Sequence, residues 1–260
     1  MNSKEVLLQM VWHGVETTTP GCTIDNRLPL NINWEEVEAL ATKQELSAVL
    51  LDGVGKIPEV NRPEKKLYLK WIGEVVQGYE LHYDRYRKAV ANLASFYNNH
   101  GYKMMVLKGM ACGLDWPKPA HRSYGDIDIW LFGKQKEADE ALGRAQGPKF
   151  KIDNSHHHHS VFNWQGFIVE NHYDFINVYD YKSSKDLEGW FKRLGQDDAY
   201  SIELNCEKVY IPSPNLHALF LLRHMVSHFA SVSITLRQVL DWAFFMRKHG
   251  RAVDWDWMLP

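Results

Sequence analysis

The sequence has only three cysteines in 260 residues, Cys22, Cys112 and Cys206. They are odd in number and far apart, which argues against a disulfide framework and predicts a reducing compartment. An excess of either charge is also missing: 30 Lys and Arg face 32 Asp and Glu, for a formal net charge of −2. No global basic field attracts nucleic acid, so a long nucleic acid is the least favoured partner. No apolar run approaches the ~20 residues of a membrane helix. The opening MNSKEVLLQMVWHGVE lacks a basic segment followed by a long apolar stretch, so no signal peptide is predicted and a cytoplasmic location is expected. Internal repeats and low-complexity tracts are absent. Aromatic residues, by contrast, are plentiful, which suits a core with pockets but specifies no ligand.

Apolar spacing divides the chain into three parts. Residues 1–100 read as a helical region. Val6, Leu7, Met10 and Val11 form one stripe, Thr17 to Asn33 a loop, and Trp34 to Val54 one or two helices with Asn33 as a cap. Glu64 to Asn99 reads as a long helical stretch with a break at Gly73 or Gly78. Its last part places Tyr86, Val90, Leu93 and Tyr97 on one side. Residues 101–182 mix strands and helices without strict alternation, which predicts a small mixed β-sheet. Strands are expected at Lys103–Leu107 and Asp126–Phe132, and a hairpin at Ser160–Trp164 and Phe167–His172. Residues 183–260 are again mainly helical, with Ser201 to Ile211 extended or irregular. The predicted class is therefore α+β, a small mixed sheet flanked by N- and C-terminal helical regions. In the helix from Thr235 to His249, Val239, Leu240, Ala243 and Met246 are expected to face the core. The final residues, Val253 to Pro260, read as the start of another helix, so the native chain is expected to continue.

The chemistry concentrates between Val106 and Trp130. In a strand, residues two apart share a face, so Asp126, Asp128 and Trp130 point one way and Ile127, Ile129 and Leu131 the other. Two carboxylates held that close repel, and a divalent cation relieves the repulsion. Glu170 sits mid-strand in Phe167 to His172, directly after the apolar run Phe167 to Val169, where a charge is costly unless paired or metal-bound, and it is the best third carboxylate. Mg²⁺ prefers oxygen ligands and keeps several waters, so two or three carboxylates suffice. Upstream, Gly109 stands at a strand-to-helix turn where backbone N–H groups favour phosphate. Lys108 and Arg122 can add positive charge. The pattern predicts a Mg²⁺ or Mn²⁺ site for nucleotidyl transfer from a nucleoside triphosphate. It is not a P-loop, since no Gly-Lys-Ser/Thr occurs at the required spacing.

The elements Val106-Leu107-Lys108-Gly109, Arg122, Gly125-Asp126-Ile127-Asp128-Ile129 and Val169-Glu170-Asn171-His172 resemble a bacterial family of uncharacterised nucleotidyltransferases within the DNA polymerase beta-like superfamily. The resemblance implies a mixed sheet flanked by helices, with Asp126 and Asp128 as metal ligands and Glu170 as the third. It also implies nucleotide contact near Gly109. One departure stands out. The wider superfamily carries Gly-Ser or Gly-Gly-Ser in that turn, whereas here Met110 follows Gly109, and a serine hydroxyl is missing from the triphosphate cradle.

Other polar clusters have plainer readings. His156 to His159 could ligate zinc, but adjacent strand residues point to opposite faces, so at most alternate histidines converge. His172 shares a face with Glu170 and suits a supporting or core position equally. His217, His224 and His228 lie on one helix face and fit a core or groove lining. Arg237 and Asp241, four apart, form an ordinary intrahelical pair. Trp116 and Trp130 flank the acidic strand; core packing is expected, with stacking on a base as the alternative. Replacing Asp128 by Asn is expected to relieve repulsion and slightly stabilise the metal-free protein. Two rival functions remain open: a non-catalytic nucleotide-binding or regulatory protein on a degenerate scaffold, and a metallohydrolase. The acceptor, a small molecule, a protein hydroxyl or an RNA end, is not specified.

Overall fold

A computed structural model describes residues 1–16, 28–29, 31–178, 182–231 and 233–258. The loop expected between Thr17 and Asn33 lies mostly outside these residues, as does Cys22.

Helix α1 (Ser3–Val15) starts at a capping box in which Asn2 and Glu5 bond each other's backbone N–H. Helix α2 (Trp34–Lys43) is capped by Asn33, whose side chain accepts from the Glu36 N–H at 3.2 Å. Helix α3 (Ser47–Val54) packs closely on α1: a Cβ at Gly53 would lie 2.0 Å from the Met10 carbonyl oxygen. The long helical stretch is α4 (Lys65–Val75) and α5 (Leu81–Asn99), joined by a five-residue π-helical segment, Val76–Glu80, that contains Gly78. A π-segment takes up extra residues without ending the helix, so the expected break is a change of winding.

Strand β1 (Met105–Val106) leads into the short helix α6 (Met110–Gly113), and β2 (Ile127–Trp130) into α7 (Gln135–Gln146). Strands β3 (Ile152–Asp153), β4 (His159–Trp164) and β5 (Phe167–His172) follow. After α8 (Lys182–Gly195) come β6 (Ser201–Leu204), β7 (Glu207–Tyr210), α9 (Pro214–Ser231), α10 (Leu236–His249) and α11 (Trp255–Met258). The strands form one seven-stranded mixed sheet in the order β3-β4-β5-β2-β1-β7-β6. The β2–β5 and β1–β7 pairs are parallel and the others antiparallel. The fold is α+β, as expected. The stretch 201–211 is more ordered than its sequence suggested: β6 and β7 form a hairpin around Asn205 and Cys206, both at positive φ.

One sheet face rests on α5 and α7. Tyr86, Val90, Leu93 and Tyr97 are fully buried there against Ile127, Ile129 and Leu131. The other face carries a second core of Trp130, Phe175, Phe191 and Phe220, supplied by the segment after β5, by α8 and by α9. Strand β2 is thus buried on both sides, and Asp128 is only 2% exposed. Helix α10 turns Gln238, Asp241, Phe244 and Phe245 inward, whereas Val239 is 44% exposed. The inward face is therefore rotated from the one its apolar spacing predicts, because Asp241 is drawn in by buried polar partners. No described helix is long and apolar enough to cross a membrane.

Candidate active site

The ends of β2 and β5 meet α9 and α10 around a cavity of about 650 Å³. Parallel pairing places Asp128 directly beside Glu170. His172, two residues further along β5, lies with its Nε2 3.3 Å from Asp128 Oδ1 and 3.6 Å from Glu170 Oε2. One ligand atom from each of these three residues falls within 4.8 Å of the others. Asp126, just before β2, lines the same cavity but is not in that tight group.

The electrostatics separate the carboxylates. Burial pushes the Asp128 carboxyl up, but Lys108, with its Nζ at 3.0 Å, and His172 outweigh it and hold it well below the usual range. Glu170 is held low mainly by its hydrogen bond with His172. Burial would lower the His172 pKa, but Asp128 and Glu170 raise it to about 9, so the imidazole is protonated at neutral pH. Asp126 is the exception: partial burial, then Glu170 and Asp128, raise its pKa. Such a crowded set of oxygen donors fits a hard divalent cation. Lys108 and His172 supply the positive charge that such a cation would otherwise bring.

The turn after β1 is built around Gly109. Its φ is +52°, and a Cβ there would lie 2.3 Å from the Tyr86 hydroxyl. Only glycine suits that position. The turn lines the cavity beside Lys108, but α6 has just four residues, so the helix dipole adds little. Arg122 also lines the cavity, yet its guanidinium is tied down: Nε and Nη2 donate to the two oxygens of Asp241 at 2.8 and 2.9 Å, and Nη1 donates to the Ser123 carbonyl. Asp241 further accepts from Trp116 Nε1 at 2.7 Å and Arg237 Nη1 at 2.9 Å. The Arg237–Asp241 pair is thus one edge of a buried network. Trp116 is spent on that network, and Trp130 packs on Phe132 and Phe175. Both are core residues.

Across the cavity stands a wall that the sequence reading did not assemble. Arg223, His224, Ser227 and His228 come from α9, and Arg237 and Gln238 from α10. Burial and then Lys108 lower the pKa of His224, to about 3, and that of His228. Both are neutral at pH 7, so this wall contributes its positive charge through Arg223 and Arg237, in addition to Lys108, Arg122 and the protonated His172 on the other sides of the cavity. The signal was present in the placement of Arg223, His224 and Ser227-His228 one turn apart on α9. His217, by contrast, is buried against Cys112, with Sγ 3.6 Å from Nε2. The alternation argument applied to His156–His159 fails at one point. His158 lies in a bend before β4, and its ring meets those of His159 and His172.

No curated protein matches the chain. A crystal structure of an antigenic nucleotidyltransferase-like protein from Paracoccidioides brasiliensis is similar over 63% of this chain and 76% of that one, at 17% identity and a TM-score of 0.41. That likeness is too loose to place individual residues. The family of uncharacterised nucleotidyltransferases has a sequence model that matches residues 31–260, nearly the whole chain, and the chain belongs to that family.

Proposed function

We propose that the protein transfers a nucleoside monophosphate from a nucleoside triphosphate to an acceptor hydroxyl, with Asp126, Asp128 and Glu170 holding Mg²⁺ or Mn²⁺. The observation that carries this reading is the side-by-side placement of Asp128 and Glu170 on parallel strands, with Asp126 at the same cavity. A divalent cation there would neutralise charge that builds on the phosphate oxygens. Lys108 and Arg223 line the cavity and offer positive charge to the triphosphate, whereas Arg237, which also lines it, is held by Glu45 and Asp241. Gly109 lets the backbone approach it. In this reading Glu170, which lines the cavity, takes the acceptor's proton as the hydroxyl oxygen bonds to the α-phosphorus and pyrophosphate leaves.

A second reading is favoured by a specific observation. Asp128 is already neutralised by Lys108 and His172, and Met110 stands where the wider superfamily has serine. Such a site suits nucleotide binding without transfer. The experiment is incubation with each α-labelled nucleoside triphosphate, Mg²⁺ and fractionated cell extract. A labelled acceptor that depends on Asp126 supports transfer. Mg²⁺-dependent nucleotide binding with no labelled product in any fraction supports the binding protein, and absence of nucleotide binding overturns both.

A further inference from the structure

We propose that His158, His159 and His172 form a second metal site, selective for a zinc-like transition ion, which shares His172 with the carboxylate cluster and binds in place of that ring's proton. It goes beyond nucleotidyl transfer and does not rest on that function.

The geometry is the first argument. One ring nitrogen from each histidine lies within 4.8 Å of the others. Imidazoles bound to zinc at ~2.0–2.1 Å in tetrahedral arrangement have ring centres about 5 Å apart. The ring centres here are 4.3 Å apart for His158 and His159, 5.3 Å for His159 and His172, and 5.9 Å for His158 and His172.

The second argument is burial without compensation. His159 is 8% exposed, and its Nδ1 is buried with no hydrogen-bond partner. A buried ring nitrogen left unbonded is costly, and a metal bond removes the cost.

The third is the way the backbone presents the ligands. The His158 carbonyl accepts from the N–H groups of both Tyr173 and Asp174 at 3.1 Å. Those bonds tie the bend to the end of β5, so His158 is held beside His172 instead of swinging with a free loop. His159 is the register partner of His172 across the β4–β5 pair. Two of the ligands therefore sit on a paired strand and the third on a pinned bend, the kind of rigid support a metal site requires.

The donor type decides the ion. Imidazole nitrogen suits zinc, copper and nickel, whereas Mg²⁺ takes oxygen. Three histidines leave a fourth tetrahedral position for water or a ligand in the adjoining cavity, which His158 lines.

The test uses the full chain stripped with chelator and then titrated with Zn²⁺ in excess Mg²⁺. Co²⁺ serves as a spectroscopic reporter of tetrahedral nitrogen ligation. The wild type should bind one Zn²⁺ at this site and give an intense tetrahedral Co²⁺ spectrum. His158→Ala, at a half-buried bend position, and His159→Gln should each weaken Zn²⁺ binding about 100-fold or more. Circular dichroism should be unchanged for His158→Ala. A wild type that takes up no Zn²⁺, or a folded His158→Ala that binds it like the wild type, overturns the proposal. Mg²⁺-dependent nucleotide binding measured on the same samples reports separately on the carboxylate cluster, so failure of one assignment is distinguishable from failure of the other.

Discussion

His172 stands between Asp128 and Glu170, its Nε2 3.3 Å from one carboxylate and 3.6 Å from the other. Together with Lys108 it reverses the expected consequence of neutralising Asp128. Two bare carboxylates would repel, but Asp128 is buried with cations on it. Asp128→Asn should therefore destabilise the metal-free protein, by about 2–3 kcal/mol, because it strands His172 and Lys108 without a full partner. Thermal melting in chelator measures this; a more stable mutant would mean that repulsion dominates after all.

Asp126 is where the opposite sign is expected. Its pKa is raised by partial burial, by Glu170 and by Asp128. Asp126→Asn should leave metal-free stability equal or higher by no more than about 0.5 kcal/mol, since solvent screens the site. Transfer activity should fall by two orders of magnitude or more. A gain in stability with a loss of activity marks a functional group. Unchanged activity would remove Asp126 from the site.

The two kinds of arginine around the cavity should separate cleanly. Arg122 is buried in a forked pair with Asp241, so Arg122→Ala should cost about 3–5 kcal/mol of stability. Arg223, on the α9 wall, is less buried. Arg223→Ala should change stability by less than about 0.5 kcal/mol and weaken triphosphate binding roughly tenfold, with a smaller loss for the monophosphate. Equal loss for mono- and triphosphate would place Arg223 away from the phosphate tail.

Stability against pH should carry the signature of His172. Its pKa is raised from 6.5 to about 9, so its contribution is complete below 6.5 and disappears as pH rises through 9. Asp128 and Glu170 are held low, and their contribution disappears as pH falls below the ordinary carboxylate range. The metal-free protein should lose on the order of 3 kcal/mol between pH 6.5 and 9. In His172→Gln that alkaline slope should flatten. An equal slope in wild type and mutant would assign the effect elsewhere.

Local pattern made much of this legible. The α5 stripe, the alternation in β2 and the Gln165-Gly166 hairpin placed the sheet, its helical floor and the two acidic strands. What escaped was set by contacts distant in sequence. The β6–β7 turn was hidden because Asn205-Cys206 adopts positive φ without a glycine. The inward face of α10 was misread because Asp241 is buried by Arg122 and Trp116, and no periodicity records that partnership. The cationic wall exists only because α9 and α10 pack across the acidic strands. The convergence of His158 on His159 needed a bend where alternation predicts a strand.

The decisive measurement is nucleoside triphosphate affinity with and without Mg²⁺, for the wild type and for Glu170→Gln. Glutamine keeps the size of Glu170 and one of its oxygens but removes the charge, at a side chain open enough to tolerate the change. If Asp126, Asp128 and Glu170 hold the cation, Mg²⁺ should tighten wild-type binding about tenfold or more, and the mutant should lose most of that gain while its Mg²⁺-free affinity holds. A Glu170→Gln protein that binds with the wild type's Mg²⁺ dependence would show that the carboxylate pair on β2 and β5 is not the metal site.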